Sequence, residues 1–91
     1  MKRVLRTQSY LDDLDAIEKF IARDKPGAAA DMWFHIDDQV TALTDPLFPR
    51  RTGRVEGTFE LVAHENYLTI FEEDDACVIV LAVVHARMQF P

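Results

Sequence analysis

The sequence predicts an α+β domain of order β-α-α-β-β-β, with a helical hairpin packed on one face of a mainly antiparallel sheet. Three observations predict it. Two stretches carry apolar residues at helical spacing on either side of a break at Asp24-Lys25-Pro26-Gly27. Three short segments rich in β-branched and aromatic residues follow, separated by polar turns. The 91 residues suffice for a single domain, 1–91, around one core.

Lys2 to Thr7 reads as a short first strand, although Val4 and Leu5 interrupt its alternation. Ser9 is the expected opening of the first helix. Its hydroxyl can accept an orphan backbone N–H, and Asp12, three residues on, imitates a capping box. Tyr10, Leu14, Ile17 and Ile21 recur at helical spacing, with Leu11 and Phe20 flanking the same face. Asp12, Asp13, Asp15 and Glu18 fill the rest, and acids this early suit the positive end of a helix dipole. Pro26 suits the first turn of the second helix, where its missing N–H costs nothing. The stripe Ala29, Met32, Trp33, Ile36, Val40 and Leu43 then runs until Asp45-Pro46 ends it. Trp33 is read as core or as a contact between the helices, and is expected to pack on the sheet with Ile36. So short a break between amphipathic helices makes an antiparallel hairpin.

From Leu47 to Gly57 the chain reads as loop, punctuated by Pro49, Gly53 and Gly57. Thr58 to His64 alternates, with Phe59, Leu61 and Ala63 on one face and Glu60 and Val62 on the other. His64-Glu65-Asn66 turns the chain into a strand from Tyr67 to Glu72, and Glu73-Asp74-Asp75 turns it again. The apolar run from Cys77 to Val84 predicts a strand buried on both faces. The three closing strands should form an antiparallel meander.

Composition bounds the function. At 48% hydrophobic and 29% charged the chain is too apolar for disorder, and no apolar run is long enough to span a bilayer. Lys2, Arg3 and Arg6 have no apolar run behind them, so the start is not a signal peptide and a cytoplasmic location is expected. The single cysteine, Cys77, excludes an internal disulfide framework and a cysteine-rich zinc site; it reads as a small buried hydrophobe. Asp31, His35 and Asp38 fall on one side of the second helix, but with no third His or Cys placed to help they read as a solvated face. No metal or cofactor is expected. The net charge of −6 argues against the global basic field of a protein that grips many phosphates. Yet Arg50, Arg51 and Arg54 cluster in one loop, while no Lys or Arg occurs between Val55 and Ala86. The expectation is a local basic patch on an acidic body.

At Pro49 to Val62 the text becomes specific. Pro-Arg-Arg-Thr-Gly-Arg-Val-Glu-Gly-Thr-Phe-Glu-Leu-Val resembles the loop and strand of ParE-type toxins, a GRxG-like loop followed by Gly-Thr-Arg-Glu-Leu-Val. His85-Ala86-Arg87-Met88-Gln89-Phe90-Pro91 resembles the closing His-x-x-x-x-Trp-Pro of that family. Asp13-Leu14-Asp15-Ala16-Ile17, Ile21-Ala22, and Pro26 with Ala28 and Ala29 resemble its first helix and its Pro-x-Ala-Ala opening of the second. In this order the segments identify a resemblance to the RelE/ParE toxin superfamily over nearly the whole chain, nearest in appearance to ParE. Phe59 stands where the family usually has Arg, and Phe90 where it usually has Trp.

The resemblance implies the toxin of a type II toxin–antitoxin system, held in a hetero-oligomer with a cognate antitoxin whose tail wraps it. ParE-type toxins poison DNA gyrase and do not cut RNA. RelE-type toxins cut messenger RNA in the ribosomal A site. A third outcome is an inert relative that keeps only antitoxin binding. Metal-free RNA cleavage needs a base, an acid and cations on the phosphate. Glu60 or His85 would supply base or acid, with Arg54 and Arg87 as phosphate clamps. Arg50, Arg51 and Arg54 suit an acidic segment of an antitoxin or target. Phe59 cannot neutralise a phosphate, which favours gyrase over the ribosome.

Overall fold

The computed structural model describes residues 1–87. Met88 to Pro91, and with them Phe90 of the closing segment, lie outside the described residues. The elements are β1 (Arg3–Arg6), α1 (Gln8–Ala22), α2 (Pro26–Thr41), a 3₁₀ turn (Ala42–Thr44), β2 (Arg51–Thr52), β3 (Phe59–His64), β4 (Tyr67–Glu73) and β5 (Cys77–His85). They form a five-stranded sheet of order β1-β5-β4-β3-β2. β1 runs parallel to β5, and the other pairs are antiparallel. The α+β class and the closing meander are as expected. β2 is an addition: two residues of the anticipated loop pair with β3. No helix among the described residues is long and apolar enough to cross a membrane.

The N-cap of α1 is Thr7, not Ser9. The Thr7 hydroxyl oxygen accepts the Tyr10 N–H at 3.2 Å. It also donates to the Val80 carbonyl at 2.6 Å. Either residue can cap locally; the bond to β5 makes the selection. The first turn of α1 holds no acid. Asp13 instead reaches the sheet and accepts the Val83 N–H at 3.0 Å.

The core sits between the hairpin and one sheet face. Tyr10 and Leu14 of α1 and Ile36 and Val40 of α2 meet Leu61, Ala63, Phe71, Val78, Val80 and Val83. One aromatic expectation changes, and of the two readings of Trp33 the contact between the helices is the one found. Phe20 is 66% exposed, because it lies roughly 120° round the helix from Leu14. Trp33 is half-buried and joins the helices: its indole N–H donates to Asp15 Oδ1 at 3.1 Å, leaving Ile36 to pack inward. β5 is buried on one face only. Val78, Val80 and Val83 face the helices, whereas Ile79, Leu81 and Val84 stay half-buried, since one hairpin covers one face of a sheet.

Arg6 binds the hairpin to β1. Its Nε and Nη2 donate to the two Asp37 oxygens at 2.8 and 3.2 Å. The Tyr10 hydroxyl donates to Asp37 Oδ1 at 2.8 Å. Burial, and then the Asp37 carboxylate, push the Tyr10 phenol far above its ordinary range.

Candidate functional site

The segment after α2 is shaped by Arg50. Its Nη1 donates to the carbonyls of Asp45 (3.2 Å) and Pro46 (2.8 Å), and its Nη2 to that of Leu43 (2.9 Å). Its Nε lies 3.2 Å from Glu73 Oε2, and the guanidinium sits 5.8 Å from the Phe71 ring centre. The side chain is 11% exposed. Arg50 therefore ties the end of the helical hairpin to β4, with most of its side chain buried.

Arg51 and Arg54 share a carboxylate. Arg51 Nε and Nη2 donate to Glu60 Oε1 at 3.3 and 3.1 Å, and the Arg54 backbone N–H donates to Oε2 at 3.1 Å. The Arg54 guanidinium adds an ion pair at 3.7 Å. Glu60 is 3% exposed, against 55% and 39% for the two arginine side chains. Glu60, offered by the sequence as a candidate base or acid, lies within the fold as the hub beneath an arginine pair.

Two glycines allow this. A Cβ on Gly53 would overlap the Thr58 hydroxyl, and the Gly53 N–H donates to the Thr58 carbonyl at 2.9 Å. Gly57 has φ +84°, where side chains are disfavoured. The tight return sets Arg51 opposite Glu60 and Thr52 opposite Phe59. Arg50 turns inward instead of extending β2, so among the described residues β3 from Leu61 to His64 is paired only with β4. Beside that open edge lies a groove of about 350 Å³, walled by Gln39, Phe48, Pro49, Arg50, Arg51, Glu60, Leu61 and Val62. Val62 is 51% exposed and Leu47, next to Phe48, is 88% exposed. An unpaired strand edge, an apolar trough and a cationic rim are the parts that receive an extended acidic peptide.

The four residues considered for RNA cleavage form two separate pairs. Arg54 and Glu60 lie at the β2–β3 end of the sheet. Glu60 stands opposite Ile70, and Ile70 opposite Ala82, on the face turned from the helices. His85 stands opposite Tyr67, on the helix side, at the far end of β5. His85 and Arg87 are exposed there, and His85 Nδ1 accepts the Arg87 N–H at 3.1 Å. The three histidines gather at this end: His35 to His64 is 5.8 Å, His64 to Tyr67 6.0 Å, and Tyr67 to His85 5.6 Å between ring centres. That gathering was not visible in the sequence. Phe59 stacks on Phe71 at 5.8 Å and belongs to the packing. Among the described residues no three His, Cys, Asp or Glu side chains are grouped to hold a metal ion.

The family model described as the ParE toxin of the type II toxin–antitoxin system, parDE, matches residues 4–90. A Sinorhizobium fredii (strain NGR234) protein, Y4kP, described as a candidate toxin, is 36% identical over 90 residues, covering 99% of this chain and 94% of that relative. Among solved structures, a chain of a chromosomal ParDE system from P. aeruginosa superposes with a TM-score of 0.83 at 21% identity, covering 93% of this chain and 96% of its own. The Helicobacter pylori protein HP0894 superposes with a TM-score of 0.58 at 16% identity, over 99% and 100%. At those identities the two structures speak for the fold alone. With its family model matched almost end to end, the chain belongs to the ParE toxins of type II toxin–antitoxin systems, within the RelE/ParE superfamily.

Proposed function

We propose that this ParE-like toxin acts on DNA gyrase and is neutralised by a cognate antitoxin whose tail lies in the groove beside β3. One observation carries the neutralisation: the open β3 edge from Leu61 to His64 borders an apolar trough rimmed by Arg51. An extended segment supplies backbone hydrogen bonds to the edge, an apolar side chain to the trough and a carboxylate to Arg51 and Arg54. The gyrase half is supported by the separation of Glu60 and Arg54 from His85 and Arg87, so that the four residues considered for RNA cleavage do not converge on one phosphate.

The test runs in parallel. The chain is added to gyrase with supercoiled DNA, and to translating ribosomes with a defined message. Gyrase-dependent DNA breaks with the message intact is the expected result. Codon-specific cleavage with gyrase untouched refutes the gyrase reading, and inactivity in both with antitoxin binding retained identifies an inert relative. Separately, Arg51→Glu should weaken the antitoxin complex by roughly tenfold or more, because a like charge faces the segment's carboxylate. Unchanged affinity refutes the groove as the antitoxin seat.

A further inference from the structure

We propose a second docking surface, on the outer flank of the helical hairpin, that receives an arginine from a basic segment of a partner protein. A concavity of about 290 Å³ opens there, lined by Asp15 and Glu18 of α1 and Trp33 and Phe34 of α2. Leu14 and Ile36, the neighbours that face the sheet, are fully buried, whereas Asp15 and Phe34 are exposed. The concavity therefore opens away from the core, and both surfaces can be occupied at once.

Its parts fit a guanidinium. Asp15 and Glu18, three residues apart, share one face of α1. Asp15 Oδ1 accepts the Trp33 indole N–H at 3.1 Å, which holds the ring in place and leaves Oδ2 for another donor. Glu18 is half-buried and makes no hydrogen bond or ion pair among the described residues. The Trp33 and Phe34 rings meet edge-on, 5.4 Å apart at 70°, and Phe34 is 61% exposed. A weakly hydrated planar cation can lie against an aromatic face while donating to two carboxylates. An ammonium point charge uses only half of that arrangement.

Charge selects the partner's chemistry. The two helices carry seven carboxylates against the single Lys19, a surplus of six, which equals the net charge of the chain. Such a field repels nucleic acid and attracts a basic peptide. Tryptophan and arginine are also among the residues enriched at interface hot spots.

Trp33 is the chain's single tryptophan, so its fluorescence reads this pocket directly. The full chain is titrated with an acetylated, amidated leucine–arginine peptide and with its twin carrying citrulline for arginine. Citrulline keeps the shape and removes the charge. Saturable quenching or shift by the arginine peptide is expected, weakened roughly tenfold or more by citrulline. The double variant Asp15→Asn/Glu18→Gln should lose the same factor. Equal affinity for the two peptides, or no saturation at millimolar peptide, overturns the proposal. The peptide pair probes the unaltered protein, so the test stands even if the double variant folds poorly. Failure here leaves the groove beside β3 untouched, because that site is read through Arg51.

Discussion

Glu60→Gln separates a structural hub from a catalytic base. Glu60 is 3% exposed, and its oxygens take Arg51 Nε and Nη2, the Arg54 N–H and the Arg54 guanidinium. Glutamine keeps the volume and one acceptor but sets an amide N–H₂ against an arginine donor. A hydrogen bond to a charged group contributes about 1.5–3 kcal/mol, and a neutral one about half that. Arg51 and Arg54 are 55% and 39% exposed at the side chain, so water compensates much of their loss. We expect a net cost of about 1.5–2.5 kcal/mol, which for a domain of this size lowers Tm by roughly 6–20 °C. Thermal unfolding measures it, with Arg51→Ala as the control. That variant should cost only about 0.5–1 kcal/mol, because its head is largely solvated and Arg54 still pairs with Glu60. Below its midpoint, Glu60→Gln should retain the wild-type activity per folded molecule. An unchanged Tm together with a loss of roughly 10²–10⁴ in rate would refute the hub and restore Glu60 as a working acid or base.

Thr69 is fully buried, and its hydroxyl meets no partner among the described residues. Thr69→Val keeps the shape and removes the orphan, so it should stabilise the chain by about 1 kcal/mol in urea unfolding; destabilisation would reveal a hydrogen bond to that oxygen. Tyr10 holds its proton more tightly folded than unfolded, through burial and the Asp37 carboxylate. The native state therefore keeps a proton that the unfolded chain releases near its ordinary pKa of about 10. Its contribution is complete below that pH and declines as pH rises above it. In a Tyr67→Phe background, where Tyr10 is the remaining tyrosine, tyrosinate absorbance should appear only together with loss of helical dichroism. Ionisation within an intact fold would contradict this.

Much of the architecture is legible along the chain. The period of Leu14, Ile36 and Val40 marks the buried helix faces, Pro26 opens α2, and the alternation of Leu61 and Ala63 orients β3. The segment from Pro49 to Val62 points to the family. These are relations between residues a few positions apart, and a single turn or pleat expresses them. Phe20 aside, the choices that sequence reading missed depend on distant partners. Thr7 rather than Ser9 caps α1 because Val80, 73 positions away, offers a carbonyl. Arg50 is withdrawn from the surface by Glu73 and the Phe71 ring, although nothing in its own neighbourhood distinguishes it from Arg51. Phe59 turns to Phe71 and not toward a phosphate because the β3–β4 register sets the two rings on one face. The sequence by itself determined the helices and every strand but β2, since local sterics and periodicity act between near neighbours. Only the tertiary structure decided which charges are buried, paired or free. A carboxylate such as Glu60 becomes a hub only when strand register and two glycines bring Arg51 and Arg54 within reach of its oxygens.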